Sequence, residues 1–171
     1  MPAINKVGEF FDSGNYFLPQ LINSAETMKE SIAVLEPKLM TGNNDKQMPT
    51  VIMATVEGDV HDIGKNLVVL MLKNYGFNVI DLGKNVTKEV IVDAAKKYDA
   101  KLVGLSALMT TTMQKMKEVV DYRNEIKADF KIMIGGAVVT EDYAKQIGAE
   151  GYSEDASDAV KVAAHLLNLT L

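Results

Sequence analysis

The rhythm of hydrophobic residues changes once along the chain, near residue 50. Before it, Leu21, Ala25, Met28, Ile32 and Leu35 recur at three- and four-residue steps and form one apolar stripe. That stripe predicts a helix with Pro19 in its first turn, running to about Met40, with Pro37 interrupting or bending its last turn. Residues 5–11 predict a shorter helix, followed by a turn at Asp12-Ser13-Gly14-Asn15. Two helices with one stripe must pack on each other and on something else. Thr41–Pro49, rich in Gly, Asn, Asp and Pro, reads as a linker. Beyond it, short apolar runs alternate with amphipathic segments. Strands are expected at Thr50–Val56, Phe77–Asp81, Leu102–Ser106, Lys131–Gly135 and, on a weaker pattern, Ala149–Tyr152, with helices at 63–74, 87–98, 112–128, 140–147 and 155–168. Five βα units in succession predict an α/β fold whose parallel sheet is covered on both faces, and the runs VIMATV, LVGLSAL and KIMIGG suit its central strands.

Composition narrows the function. At 171 residues, 47% apolar and 24% charged, the chain fits one domain of ordinary size with a small additional element. A net charge of -5 offers no basic field for nucleic acid and no polybasic membrane patch. Cysteine is absent, so any metal is held by His or carboxylate or arrives inside a cofactor. No segment approaches the roughly 20 apolar residues needed to span a bilayer, and the start has no basic stretch leading into an apolar core. A cytoplasmic location is the expectation.

Candidate chemistry gathers at strand ends. In a parallel sheet, ligands lie beyond the carboxyl ends of the strands, near the reversal of strand order. For the order 2-1-3-4-5, the loops after strands one, three and four are neighbours, and they carry Glu57–Gly64, Ser106–Thr112 and Gly135–Ala137. His61 is one of two histidines, and Asp59 stands where a curved loop lets it accept a hydrogen bond from one ring nitrogen, leaving the other for a metal or a proton. A solitary histidine does not hold zinc, whereas one axial ligand suffices for a metal already held by a macrocycle. Gly58 and Gly64 permit tight turns, but the stretch GDVHDIG is neither a dinucleotide fingerprint nor a phosphate loop. Ser106, at a strand end between apolar neighbours, needs a definite hydrogen-bond partner. Thr111 or Thr112 is a reasonable N-cap for the following helix. Gly135-Gly136 would leave the crevice floor open to a flat, bulky group. Asp62, Lys65 and Glu57 are read as either docking residues or ordinary exposed ones. His165, Met109, Met113 and Met116 are read as packing residues.

Together these residues resemble the corrinoid-binding proteins of methyl-transfer systems, which share their cofactor domain with cobalamin-dependent methionine synthase. The family's Asp-x-His-x-x-Gly appears as Asp59, His61 and Gly64, its Ser-x-Leu as Ser106 and Leu108, 45 residues beyond His61, and its Gly-Gly as Gly135 and Gly136. VEGDVHDIGKN (56–66), VIDLG (79–83) and FLPQLINSAETMKESIAVLEP (17–37) extend the resemblance over nearly the whole chain.

The resemblance implies a flavodoxin-like (Rossmann-like) five-stranded parallel sheet with flanking helices over 50–171. A linker over 41–49 and a partial helical cap over 1–40, the second helix pair of the family's cap, would precede it. It implies a cobamide, either cobalamin or a related corrinoid, whose nucleotide tail enters a slot beside the sheet. His61 would bind cobalt through Nε2, with Asp59 and Thr112, in place of the family's serine, forming the catalytic relay behind it. Gly58, Asp62, Ile63 and Leu108 would surround the corrinoid. Ser106 would bond the tail's base, Thr110 would line the slot, and Gly64, Gly135 and Gly136 would make room. Glu154, Asp155, Ala156 and Ser157 would close the far side, and Phe17 and Leu21 are candidate cap contacts.

By the same resemblance, the chain is a methyl carrier. A substrate-specific methyltransferase, of the O-demethylase, methylamine or methanol type, would load it. An acceptor methyltransferase using tetrahydrofolate or a thiol cofactor would unload it, and a reductive activation protein would rescue it. A homo-oligomer is compatible with this reading. Two alternatives stay open: the cobalamin-binding subunit of an adenosylcobalamin mutase, and a corrinoid-sensing regulatory module.

Overall fold

The computed structural model describes residues 6, 7, 10, 13–39 and 49–169. The expected helix over 5–11 lies largely outside these residues, as do Met40 and the linker over 41–48. The chain divides into two compact units, residues 1–41 and 42–171.

In the first unit, α1 spans Leu18–Leu39. Pro19 sits in its first turn, where a missing N–H leaves no intrahelical bond unmade. The helix continues beyond Pro37. The hydroxyls of Ser24, Thr27 and Ser31 each donate to the carbonyl four residues earlier, at 2.8, 2.8 and 2.7 Å. Three residues of modest helix preference are thereby absorbed without leaving a hydroxyl in competition with the helix. Leu35, assigned to the apolar stripe, is 48% exposed.

The second unit is a doubly wound α/β layer. Its elements are β1 (Thr50–Thr55), α2 (Ile63–Asn74), β2 (Asn78–Asp81), α3 (Lys88–Lys97), β3 (Leu102–Ser106), α4 (Thr110–Glu125), β4 (Lys131–Gly135), α5 (Glu141–Ile147), β5 (Gly151–Ser153) and α6 (Ala156–Leu166). The sheet order is β2-β1-β3-β4-β5, all parallel, so the expected topology and the reversal of order beside β1 are both present. Alternation along each strand sorts side chains onto two cores. Ile52, Val103, Leu105, Ile132 and Ile134 pack with Val92, Met116 and Val119 of α3 and α4. Val51, Met53, Leu102 and Met133 face Val69 and Leu72 of α2 and Ala159, Val160 and Ala163 of α6.

Several boundaries differ from expectation by one to three residues, and two of them have plain local reasons. The last strand begins at Gly151, two residues late: Gly148 adopts φ 79°, and the Ala149 N–H bonds back to the Ala144 carbonyl, so Ala149 completes the end of α5. Helix α4 runs from Thr110 to Glu125 instead of 112–128, because Lys127 takes φ 52° and the Ala128 N–H closes on the Arg123 carbonyl.

Candidate functional site

The loop joining β1 to α2 carries the site. Gly58 takes φ 81°, a turn that ordinary side chains disfavour, and the chain then folds Asp59 inward until its side chain is fully buried. All four of its local donors converge on one carboxylate. The His61 N–H donates to Oδ1 at 3.0 Å, and His61 Nδ1 lies 2.8 Å from the same oxygen. The Leu108 N–H and the Thr112 hydroxyl reach Oδ2, each at 2.7 Å. Burial by itself pushes the carboxyl's pKa up, but the two backbone donors, the Thr112 hydroxyl and the His61 ring outweigh it, and the group is held well below the usual carboxylate range. Asp59 is therefore an acceptor only, and His61 Nδ1 must carry the proton between them. The lone pair of the neutral ring is then on Nε2, and the His61 side chain is 46% exposed.

Thr112 has a different role from capping α4. The N-cap is Met109, which makes no side-chain cap, and Thr112 is the third residue of the helix. Its hydroxyl also lies 2.9 Å from the Met109 carbonyl. With one proton to give, the shorter contact to a charged acceptor takes precedence. The local reading failed because the true partner is 53 residues away.

Two exposed apolar residues belong to the loops that carry His61 and hold Asp59. Val60, the chain neighbour of His61, is 56% exposed, and Leu108, whose N–H holds Asp59, is 41% exposed. Asp62 and Ile63 start α2 and are half-buried, and Gly64 has open space where a side chain would stand. Thr110 is exposed at the first position of α4. Ser106 ends β3 half-buried, and its hydroxyl makes no hydrogen bond to another described residue. Register aligns it with Thr55 on one side and Gly135 on the other, with Ser153 beyond. A Cβ on Gly135 would come within 3.0 Å of Ser153 Oγ and its carbonyl oxygen. At Gly136, φ 133° and overlap of any Cβ with the Ala107 carbonyl oxygen show that the chain's own backbone demands glycine. Glu154, Asp155, Ala156 and Ser157 form the turn into α6, where Asp155 Oδ1 caps the Asp158 N–H at 2.8 Å. Phe17 belongs to the first unit and is 68% exposed, and the Leu21 side chain lies outside the described residues.

Three supports escaped the sequence reading. Asn85, at φ 56°, clamps the loop from β2: its Oδ1 accepts the Gly58 N–H at 2.8 Å and its N–H donates to the Asp59 carbonyl at 3.0 Å. Lys65, read as a surface residue, is only 1% exposed, with Nζ 2.5 and 2.6 Å from the Asp81 carboxylate and 2.8 Å from Asn66 Oδ1. Its place after Gly64 directs it under the loop. Glu57 pairs with Lys115 of α4 at 3.1 Å. An Asn that tolerates the left-handed region is the one local signal that could have marked Asn85.

Among the described residues, no group of three or more His, Asp and Glu is arranged to hold a bare metal ion. A B12 binding domain model matches residues 49–161, and a second one matches residues 1–36. Dimethylamine corrinoid protein 2 of Methanosarcina acetivorans is 42% identical over 167 residues, a span of 96% of this chain and 77% of that one. The structure of the Methanosarcina barkeri monomethylamine corrinoid protein superposes with a TM-score of 0.85 at 40% identity, over 95% of this chain and 78% of that one. A methanol:cobalamin methyltransferase complex from the same organism contains a chain 38% identical, with a TM-score of 0.69 over 98% of this chain and 64% of that one. The buried Asp59 behind an open His61, the Ser-x-Leu and Gly-Gly strand ends and these likenesses meet in one conclusion: the chain belongs to the B12-binding family and is a corrinoid-binding protein related to the methylamine corrinoid proteins.

Proposed function

We propose that the chain is the methyl carrier of a corrinoid-dependent methyltransferase system, with His61 Nε2 as the protein ligand to cobalt. The observation that carries the reading is the fully buried Asp59, whose contact with Nδ1 leaves Nε2 open toward an exposed apolar rim. The residues fit the group: one histidine with a fixed tautomer, the apolar Val60 and Leu108 beside it, and a strand-end row of hydroxyls and glycine. The corrinoid, when bound, supplies the metal centre that accepts a methyl group and gives it up.

This chain's own part is to bind, orient and tune. Asp59 holds the Nδ1 proton and keeps the ring in one orientation, so Nε2 meets the metal without reorganising. Thr112 and the Leu108 N–H hold Asp59 in turn. Because Asp59 stays ionised, it raises the donor strength of Nε2. A proton gained by the Asp59–His61 pair would weaken the hold of Nε2 on a bound metal, and its loss would strengthen it.

The partners are methyltransferases. A substrate-specific one, acting on a methylamine, methanol or a methoxylated compound, loads the carrier. Another, with tetrahydrofolate or a thiol as acceptor, unloads it, and a reductive activation protein returns it to service. The likeness to the dimethylamine and monomethylamine corrinoid proteins supports a methylated amine as donor.

The test is reconstitution with cobalamin, followed by absorption and electron paramagnetic resonance spectra of the wild type and His61→Ala. The expected result is an axial nitrogen splitting that disappears in the variant. A cobalt spectrum unchanged by the substitution would overturn the assignment of His61.

A further inference from the structure

The sheet face toward α2 and α6 carries two rows that the site description leaves unexplained. The outer row, at the strand ends, is Thr55, Ser106, Gly135 and Ser153 in lateral register. Thr55 is fully buried, and its Oγ1 is the one buried side-chain polar atom among the described residues without a hydrogen-bond partner. A threonine hydroxyl in that position costs stability unless something outside the chain bonds it.

The inner row, two residues back along each strand, is Met53, Gly104, Met133 and Gly151. Here the side chain missing from Gly104 is replaced by the ends of its neighbours. A Cβ at that position would overlap Met53 Sδ and stand 2.9 Å from Met53 Cε and 3.1 Å from Met133 Cε. Both methionines are buried, at 3% and 2% exposure. Beneath the hydroxyl row there is thus a floor of two unbranched, flexible thioether chains lying over a glycine. Such chains withdraw from an entering group more readily than branched ones, and they offer it no strong donor or acceptor.

Resting on the corrinoid reading above, we infer that Met53, Met133 and Thr55 select the tail of the bound cobamide, favouring one that ends in a benzimidazole over one that ends in a purine. A benzimidazole freed from the metal has one ring nitrogen on its polar edge and hydrocarbon on the opposite edge. One of the adjacent Thr55 and Ser106 hydroxyls donates to the nitrogen's single lone pair, and the methionine floor meets the hydrocarbon. An adenine in the same orientation places ring nitrogens and an amino group against sulfur and methyl groups, where they lose water and gain no partner. The same floor explains why Gly104 is needed: a Cβ there would displace the end of Met53 and press on that of Met133.

The experiment is a binding titration of the purified full chain with three corrinoids: cobalamin, the adenine-tailed cobamide and cobinamide, which has no tail base. Dissociation constants come from absorption of protein-bound corrinoid after gel filtration, and circular dichroism checks the fold of each variant. The wild type is expected to bind cobalamin about tenfold or more tightly than the adenine-tailed cobamide. Met53→Gln and Met133→Gln, close in volume but able to donate and accept, should narrow or invert that ratio, while Met53→Leu should keep it. Thr55→Val should weaken cobalamin more than cobinamide. Equal affinity of the wild type for the two tailed corrinoids, or a ratio unmoved by both glutamine variants, would overturn the inference and leave the corrinoid reading standing. Failure to bind all three, cobinamide included, would overturn both.

Discussion

At the scale of single residues, the site is a matter of who holds Asp59. A buried carboxylate is costly unless donors surround it, and here two backbone N–H groups, one hydroxyl and one imidazole do so. Asp59 and His61 were legible in the sequence because two-residue spacing in a loop is a local relation. Read locally, Thr112 is a hydroxyl near a helix start and a possible cap; the family resemblance alone pointed it toward Asp59, and the contact is present at 2.7 Å. The carboxylate it serves is supplied by another strand's loop. Thr112→Val should cost about 1–3 kcal/mol, the range for a hydrogen bond to a charged group, whereas Thr112→Ser should lose much less. Urea denaturation of the corrinoid-free protein measures the difference. Equal losses in the two variants would mean that the methyl group, not the hydroxyl, carries the stability.

At the scale of elements, the loop is held by what surrounds it. The first turn of α2 is tied to the end of β2 by Lys65 and Asp81, and the β2–α3 connection reaches back through Asn85. Lys65 and Asp81 are unequal partners: the lysine side chain is fully buried, and the aspartate side chain is 30% exposed. Removing one partner strands the other, and the cost depends on how much water the stranded charge can reach. Asp81→Ala strands the buried ammonium and should cost about 3 kcal/mol, near the lower end for breaking a buried pair. Lys65→Met replaces the stem with apolar volume, strands only the partly solvated carboxylate, and should cost less. Thermal denaturation of both variants decides it. A larger loss in Lys65→Met would show that packing of the lysine stem outweighs its charge. Nothing in the stretch GKN predicts this burial, since a lysine in the first turn of a helix is ordinarily solvated.

At the scale of the whole molecule, a bound corrinoid is expected to add to the stability of the second unit. Two of its strand-end hydroxyls, on Thr55 and Ser106, make no bond to another described residue, and its floor is built from side chains that can move. A ligand that binds only the folded chain stabilises it by mass action, by about 2.7 kcal/mol at a hundred times its dissociation constant. For a unit of this size that corresponds to a rise of roughly 10 °C in Tm. Thermal scans with and without cobalamin measure it, and an unchanged midpoint at saturating corrinoid would contradict cofactor binding by the folded state.

What the sequence determined by itself is the α/β alternation and the parallel sheet, and it marked Asp59, His61, Ser106 and the Gly-Gly pair as candidates. Periodicities of two and 3.6 residues and short motifs are local, so they survive in a linear reading. Tertiary structure alone decided that Lys65 lies buried against Asp81, that Asn85 clamps Gly58, and that Thr55 and the two methionines line one sheet face. Each of these pairs residues from different elements, and which residues meet follows from strand order and register. A shift of one residue in register would have turned Thr55 and Met53 to the opposite core.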